Sequence, residues 1–437
     1  MGFIFLKFVK DIYRNLTNNV GEGEFMGEMN TASISANELL LIMASISVLG
    51  VVGGWIGEKI KIPDVVIYLL CGVAFGPAIL NVVNIDAFPI VNELILTFGS
   101  AFILYEGGRE VKLKVLNEVK VSVGLLASLG VFITAGIVGI SAYFIFSLPI
   151  STSILLGAIV ASTDPASLIP VFRKVPIRNK LKQTIISESA FNDAFGAILF
   201  TSVLAGITLT EKIGLAHTTL QLIFMILIGV LVGTGIALIG IALSSDKKFG
   251  IFYEYAPIIS VIIVIFAYEV SERFGGSGYM SVFIAGLVYG NKKRFGLWVP
   301  DESYVSGIHF RENIATIARM SIFIVLGSHL DINSLLKYGM NSFIIALILM
   351  LIARPIVVII CTAFDKRAAW TKNEKLFMMW VRETGVIPAA LSGIVVSMEV
   401  PGYEIISATV FMTIVVTLIV QASTTNIVAK KLDVLEK

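Results

Sequence analysis

The chain has 437 residues, of which 56% are hydrophobic and 15% charged, with a formal net charge of +2. A soluble domain carries about 25% charged residues, so at a mean hydropathy of +0.90 too little polar surface is left to cover a globule in water. The net charge says little about partners, no basic aromatic patch suggests nucleic acid, and Cys71 and Cys361 lie in apolar stretches with neither a disulfide framework nor metal-ligand spacing.

In chain order, the opening MGFIFLKFVKD is too short an apolar run to span a bilayer, and no small-residue cleavage site follows it directly. Residues 11–36 are polar and Asn/Glu-rich and read as a tail or a short surface helix, so residues 1–36 are expected to form an N-terminal tail outside the membrane. Apolar runs then recur at intervals that suit a hydrocarbon core about 30 Å thick. The expected spans are 38–58, 64–80, 91–108, 121–147, 151–172, 182–208, 215–243, 252–271, 277–290, 311–328, 333–363, 375–397 and 402–428, thirteen in all. The chain therefore reads as an all-α polytopic membrane protein, with a transmembrane domain over 37–430 and a short tail at 431–437.

Lys and Arg concentrate in cytoplasmic connections, which tests the count. With the N-terminus outside, the inward connections hold Lys59 and Lys61, Arg109 to Lys120, Arg173 to Lys182, Lys247 and Lys248, Lys292 to Arg294, Lys366 to Lys375, and Lys430 to Lys437. The outward connections hold only Lys212, Arg273 and Lys337. The N-terminal tail, with Lys7, Lys10 and Arg14, is the exception. The expected placement is the cell membrane, N-terminus outside and C-terminus inside.

Two spans are interrupted. The fifth carries Ser162-Thr163-Asp164-Pro165 at its middle, and the twelfth carries Glu383-Thr384-Gly385-Val386-Ile387-Pro388. Proline removes a backbone donor and turns the preceding residue away from helix, and broken backbone at membrane depth survives only inside protein or beside a wet cavity. The two breaks lie seven spans apart. If the seventh is a linker, spans 1–6 and 8–13 form two inverted six-helix repeats with matching broken helices, the arrangement that marks a transporter's binding site. The core helices are then expected at about 91–208 and 311–428, the rest forming an interface domain.

Ionisable residues at bilayer depth are costly unless paired or hydrated. Glu106, Asp164, Glu188, Asp193, Arg319, Arg354, Arg382 and Glu383 qualify. At the break of the fifth span, freed carbonyls can lend lone pairs to a cation, and Thr163 and Asp164 add oxygen. In the sixth span Ser189 and Asp193 are four residues apart and share a helix face, as do Glu188 and Asn192 on the next face. Oxygen ligands without sulfur or imidazole suit a hard cation such as Na⁺. Burial and a neighbouring carboxylate both favour the protonated form of an acid, so proton and cation would compete for Asp193, and competition with alternating access is exchange. Arg319 and Arg382 are the expected partners of Glu188, which reads as a structural pin rather than a ligand. Glu106 fits either a cytoplasmic funnel or the membrane interface, Arg354-Pro355 reads as a pin at a helix kink, and Glu383 as a neighbour for Arg382. His217, His309 and His329 are scattered and form no metal site.

Several stretches together resemble the monovalent cation:proton antiporters of the NhaP and eukaryotic NHE type, over roughly residues 38–430. They are Lys61-Ile62-Pro63-Asp64; Phe102 to Gly108 with its Glu-Gly-Gly; Thr163-Asp164-Pro165-Ala166; Glu188-Ser189 through Asn192-Asp193; Ser277-Gly278 through Ala285-Gly286; and Ala318-Arg319 with Phe323 and Leu326-Gly327. The resemblance implies an NhaA-like antiporter fold and a homodimer in which a six-helix core moves against an interface domain. It implies Na⁺ or Li⁺ held by Thr163, Asp164, Ser189 and Asp193, with no cofactor and no enzymatic reaction. It also implies electroneutral exchange, because members with Asn before the ion-binding Asp exchange one cation per proton, and that position is Asn192. The chain departs from the family at the twelfth-span break, where Thr384 stands in place of an Arg before Gly385, with Arg382 two positions earlier. K⁺/H⁺ exchange is compatible with the same oxygen ligands. A proton channel would need no inverted repeat, and an intramembrane aspartyl protease would resemble Tyr-Asp plus Gly-x-Gly-Asp rather than the Thr-Asp-Pro and Asn-Asp found here.

Overall fold

The protein is described from a computed structural model covering residues 29–60, 63–85, 88–164, 172, 176–208, 215–245, 251–296 and 301–436. Among them the chain is helical throughout, with no strand beyond one isolated bridge between Ile177 and Leu435. Chain order gives α1 (Met29–Ile60), α2 (Asp64–Phe75), α3 (Pro89–Glu110), α4 (Leu113–Ala127), α5 (Leu129–Phe146), α6 (Ile150–Ala161), α7 (Asn179–Thr208), α8 (Leu215–Ser244) and α9 (Ala256–Arg273). There follow α10 (Gly278–Gly290), α11 (Asp301–Ser328), α12 (Ile332–Ile348), α13 (Arg354–Ala363), α14 (Lys372–Trp380), α15 (Val386–Ser397), α16 (Tyr403–Thr417) and α17 (Ser423–Lys431). Single π turns, Leu349–Ala353 and Leu418–Ala422, join α12 to α13 and α16 to α17.

Among the described residues, seven helical runs are long and apolar enough to cross a membrane, and α2, α6, α10 and α15 are shorter apolar helices. Large apolar side chains lie bare on the outer surface, among them Ile90 at 84%, Leu336 at 80% and Phe144 at 74% exposed. Water would not tolerate so many contiguous apolar faces; lipid does. The helices are those of a polytopic membrane protein. The 1–36 tail falls largely on residues outside the described set, and α1 already begins at Met29. Pro165, the proline of the expected fifth-span break, also lies outside the described residues.

Lipid offers no hydrophobic drive between helices, so close approach through small residues does much of the packing. The contact between α3 and α10 shows this: a Cβ on Gly286 would lie 2.0 Å from the Tyr105 carbonyl oxygen, and one on Gly108 2.2 Å from that of Phe283. Around this seam α3 also packs on α11, α7 and α15, and α6 packs on α5 and α7. The connection between α13 and α14 is tied to α4, because Asp365 Oδ2 accepts from the Ser122 amide at 2.9 Å and hydroxyl at 2.7 Å, and Trp370 Nε1 donates to Ser122 Oγ at 2.8 Å. The last residues fold back on the start of α7, where the Arg178 amide donates to the Val434 carbonyl and the Glu436 amide to that of Pro176.

Candidate ion-binding site

The described residues at both expected helix breaks, 162–164 and 381–385, are non-helical, and they meet. α6 ends at Ala161 and Ser162 turns to extended backbone (φ −76°, ψ 157°). α14 ends at Trp380, and the chain stays non-helical until α15 begins at Val386. At the crossing the Asp164 amide donates to the Glu383 carbonyl at 2.9 Å. The approach is so close that a Cβ on Gly385 would lie 2.2 Å from both Cβ and Oδ2 of Asp164. Only glycine leaves room for the carboxylate there.

The continuous helix α7 supplies the other wall. Asn192 clasps the broken strand of the fifth span with both ends of its amide: Thr163 N donates to Asn192 Oδ1 at 3.1 Å, and Asn192 Nδ2 donates to Thr163 Oγ1 at 2.9 Å. Thr163 Oγ1 in turn donates to Ser189 Oγ at 2.8 Å. Asp193, one turn beyond Ser189, is within electrostatic reach of Asp164. Thr163, Asp164, Ser189, Asn192 and Asp193 are thus brought together, none more than 4% exposed. Oδ1 of Asp193 has no hydrogen-bond partner among the described residues. A buried carboxylate oxygen left so is a costly feature unless a proton or cation completes it. The pocket is built of hydroxyl, carboxylate and amide oxygen, and no group of three or more His, Cys, Asp or Glu suited to a transition metal exists among the described residues.

The arginines correct the pairing expected from sequence. Glu188 is held by Arg354, not by Arg319 or Arg382. Arg354 Nη1 and Nη2 fork onto the two carboxylate oxygens, the second at 3.0 Å, while its Nε donates to the Met378 carbonyl at 2.8 Å. Arg319, on the face of α11 that packs on α2, reaches Asp64 at 3.4 Å. Arg382 Nη2 donates to the carbonyls of Val160 and Ala161 at 2.6 and 2.9 Å. A positive charge there neutralises the carboxyl end of the half-helix dipole, and it takes two of the carbonyls expected to face a cation. Arg382 does not pair with Glu383, whose two carboxylate oxygens lack hydrogen-bond partners among the described residues. Glu106 lies at the end of α3, bonded to Arg109 at 2.7 Å and 3.3 Å from Arg311.

The sequence reading missed Arg354 as the partner. One signal was available, since a buried arginine needs a buried carboxylate and Glu188 had no local basic neighbour. The Glu188–Arg354 pair joins α7, α13 and α14 with both side chains at most 4% exposed. Replacing Glu188 by Gln leaves a buried guanidinium without its counter-ion, a cost of about 3–5 kcal/mol. The expected outcome is a lower yield and thermal midpoint, with apparent ion affinity near wild type in what folds. A normal midpoint with weakened affinity would make Glu188 a ligand instead.

Residues 44–431 match the family model described as sodium/hydrogen exchanger, transmembrane. The Na(+)/H(+) antiporter 1 of Methanocaldococcus jannaschii is 31% identical over 418 residues, covering 88% of this chain and 93% of the relative. The K(+)/H(+) antiporter NhaP of Alkalimonas amylolytica is 27% identical over 404 residues, covering 91% of this chain and 68% of the relative. Among solved structures, the sodium proton antiporter MjNhaP1 of M. jannaschii at pH 8 superposes with a TM-score of 0.79 at 27% identity, over 90% of this chain and 99% of that one.

Proposed function

The chain belongs to the transmembrane sodium/hydrogen exchanger family, and from that premise we propose that it exchanges Na⁺ for H⁺ across the cell membrane through the pocket between the two helix breaks and α7. The observation that carries the reading is the convergence of two buried carboxylates, Asp164 and Asp193, with the Thr163 and Ser189 hydroxyls where the two broken helices cross. Asp193 is the group that alternates between proton and cation. Its helix is continuous, and Ser189 lies one turn before it as a second oxygen. Asp164 supplies coordination and local charge from backbone that the Glu383 carbonyl and the Asn192 amide hold fixed. Because one site takes either a proton or a cation, and reaches one side of the membrane at a time, cation movement one way drives proton movement the other.

A ratio of one cation per proton follows when only Asp193 changes its charge per cycle. Asn192 fits this, because its amide is engaged with Thr163 and carries no titrating group. The protein acts as a homodimer, as the family resemblance implies, and the distribution of Lys and Arg among the connections favours an N-terminus outside and a C-terminus inside.

The test is reconstitution in liposomes holding a pH dye. An imposed Na⁺ gradient should move protons, Li⁺ should substitute, and K⁺ should drive less. Proton flux without any cation gradient would point to a channel, and a K⁺ response above that to Na⁺ would transfer the reading to K⁺/H⁺ exchange. Electroneutrality has a separate check: a potassium diffusion potential set with valinomycin should leave the exchange rate unchanged, and a voltage-driven rate would rule out the one-to-one ratio.

A further inference from the structure

Away from the ion pocket, the ends of α3 and α10 flank a half-open cavity of about 400 Å³, lined among others by Arg109, Lys114, Asn291, Lys292, Lys293 and Arg294. The volume falls within the range of small-ligand sites. Its walls are built rather than incidental. Asn291 Nδ2 donates to the Val111 and Leu287 carbonyls at 2.9 and 2.8 Å, and its Oδ1 accepts from the Leu113 amide at 3.2 Å. The turn after α10 is thereby fastened to the turn after α3. Three cationic groups then gather round one ring: Lys292 Nζ lies 4.3 Å, Arg109 Cζ 5.6 Å and Arg311 Cζ 5.8 Å from the centre of Tyr289.

Positive charge at a membrane-facing end is ordinary when it is solvated. Here it is not: Lys292 is 4% and Arg311 2% exposed. The acids at hand are Glu106, shared between Arg109 and Arg311, and Glu110, exposed at the end of α3. Arg109 Nε and, behind the cavity wall, Arg311 Nη2 are buried donors with no hydrogen-bond partner among the described residues, while Arg311 Nε faces Glu106 at 3.3 Å. Burial pushes the Lys292 ammonium down to about 7, and the Arg109, Arg311 and Lys293 charges push it the same way. An anion in the cavity would offset both by stabilising the charged ammonium.

We propose that this cavity binds a phosphate group, carried either by an anionic phospholipid headgroup or by a soluble phosphate compound. Arginine forks and lysine ammonium groups suit phosphate oxygens, and basic pockets between membrane helices are where phospholipid headgroups are held. Because α3 and α10 meet in the glycine seam, an occupant here braces that seam at its end.

Native mass spectrometry of the full-length protein, delipidated and then offered phosphatidylglycerol or phosphatidylcholine, reads the lipid arm. Thermal unfolding in sodium phosphate against sodium chloride, at fixed sodium and ionic strength, reads the soluble arm. Retention of phosphatidylglycerol over phosphatidylcholine is expected, about fivefold lower in Lys292→Gln, the scale of one basic group at an anionic headgroup. The exposed pair Lys293→Gln with Arg294→Gln, which disturbs no buried contact, should show the same direction if Lys292→Gln fails to fold. Lys120→Gln, exposed on α4 outside the cavity, should retain lipid as the wild type does. Lipid binding lost in the cavity variants assigns a headgroup; a phosphate-dependent rise in midpoint alone, lost in the same variants, assigns a soluble phosphate compound. Binding of neither, or an equal loss in Lys120→Gln, overturns the proposal.

Discussion

Asp193→Asn is expected to reduce Na⁺-driven proton movement in liposomes to the level of protein-free vesicles while leaving the folded protein intact. The substitution keeps the side chain's volume and one oxygen, and removes the titrating proton together with the negative charge. A site that no longer binds a proton in competition with a cation has nothing to exchange. Stability should respond in the opposite sense from activity. Oδ1 of Asp193 has no hydrogen-bond partner among the described residues, and burial and the Asp164 carboxylate oppose its charge against the help of one Ser162 hydroxyl; a buried charge so weakly compensated is a burden on the fold rather than a support. The thermal midpoint of Asp193→Asn should therefore match or exceed that of the wild type. Residual exchange above background would remove Asp193 from the role of carrier. A collapsed midpoint would mean that lost activity reports unfolding. The contrast with Glu188→Gln is informative, because that substitution should lower the midpoint and spare the affinity.

The second large effect is expected at Gly385. An added methyl would lie 2.2 Å from the Asp164 carboxylate, far inside any tolerated contact. Asp164 cannot simply step back, because its amide is bonded to the Glu383 carbonyl and its neighbour Thr163 is clasped by Asn192. Gly385→Ala must either turn the carboxylate away or part the two breaks. Displacement by about 1 Å degrades a preorganised site by about 100-fold, and a fall of that order in maximal exchange rate is expected. Gly339→Ala is the control, since the nearest atom to its added methyl is 3.8 Å away. Wild-type exchange by Gly385→Ala would show that the crossing is looser than its contacts require.

Much of the architecture was readable in the residues because the bilayer imposes one length scale and proline and glycine mark the departures from it. The breaks at Thr163-Asp164 and Glu383 to Gly385 were legible for that reason. So was the face of α7 bearing Ser189 and Asp193, because a four-residue spacing on a helix leaves little freedom. The pairing of charges was not legible. Glu188 and Arg354 are 166 positions apart, and nothing local says which helix faces which. Pro355 beside Arg354 suggested a kink, and a π turn does precede it, but that explanation hid the arginine's need for a counter-ion. Arg382 was misjudged for another reason: its partners are the Val160 and Ala161 carbonyls, and backbone acceptors carry no side-chain signature in a sequence.

The π turn at Leu349–Ala353 has an evolutionary corollary. Such a turn holds one residue more than the α-helix it interrupts, and one residue in a helix is about 100° of rotation. Arg354 follows it directly and points at Glu188. Deleting a single residue from Leu349–Ala353 would swing the guanidinium off that bearing with no change of amino acid at either partner. Relatives that lack the extra residue should carry their arginine at a shifted position, and an alignment that slides across this turn without a gap would pair the wrong residues.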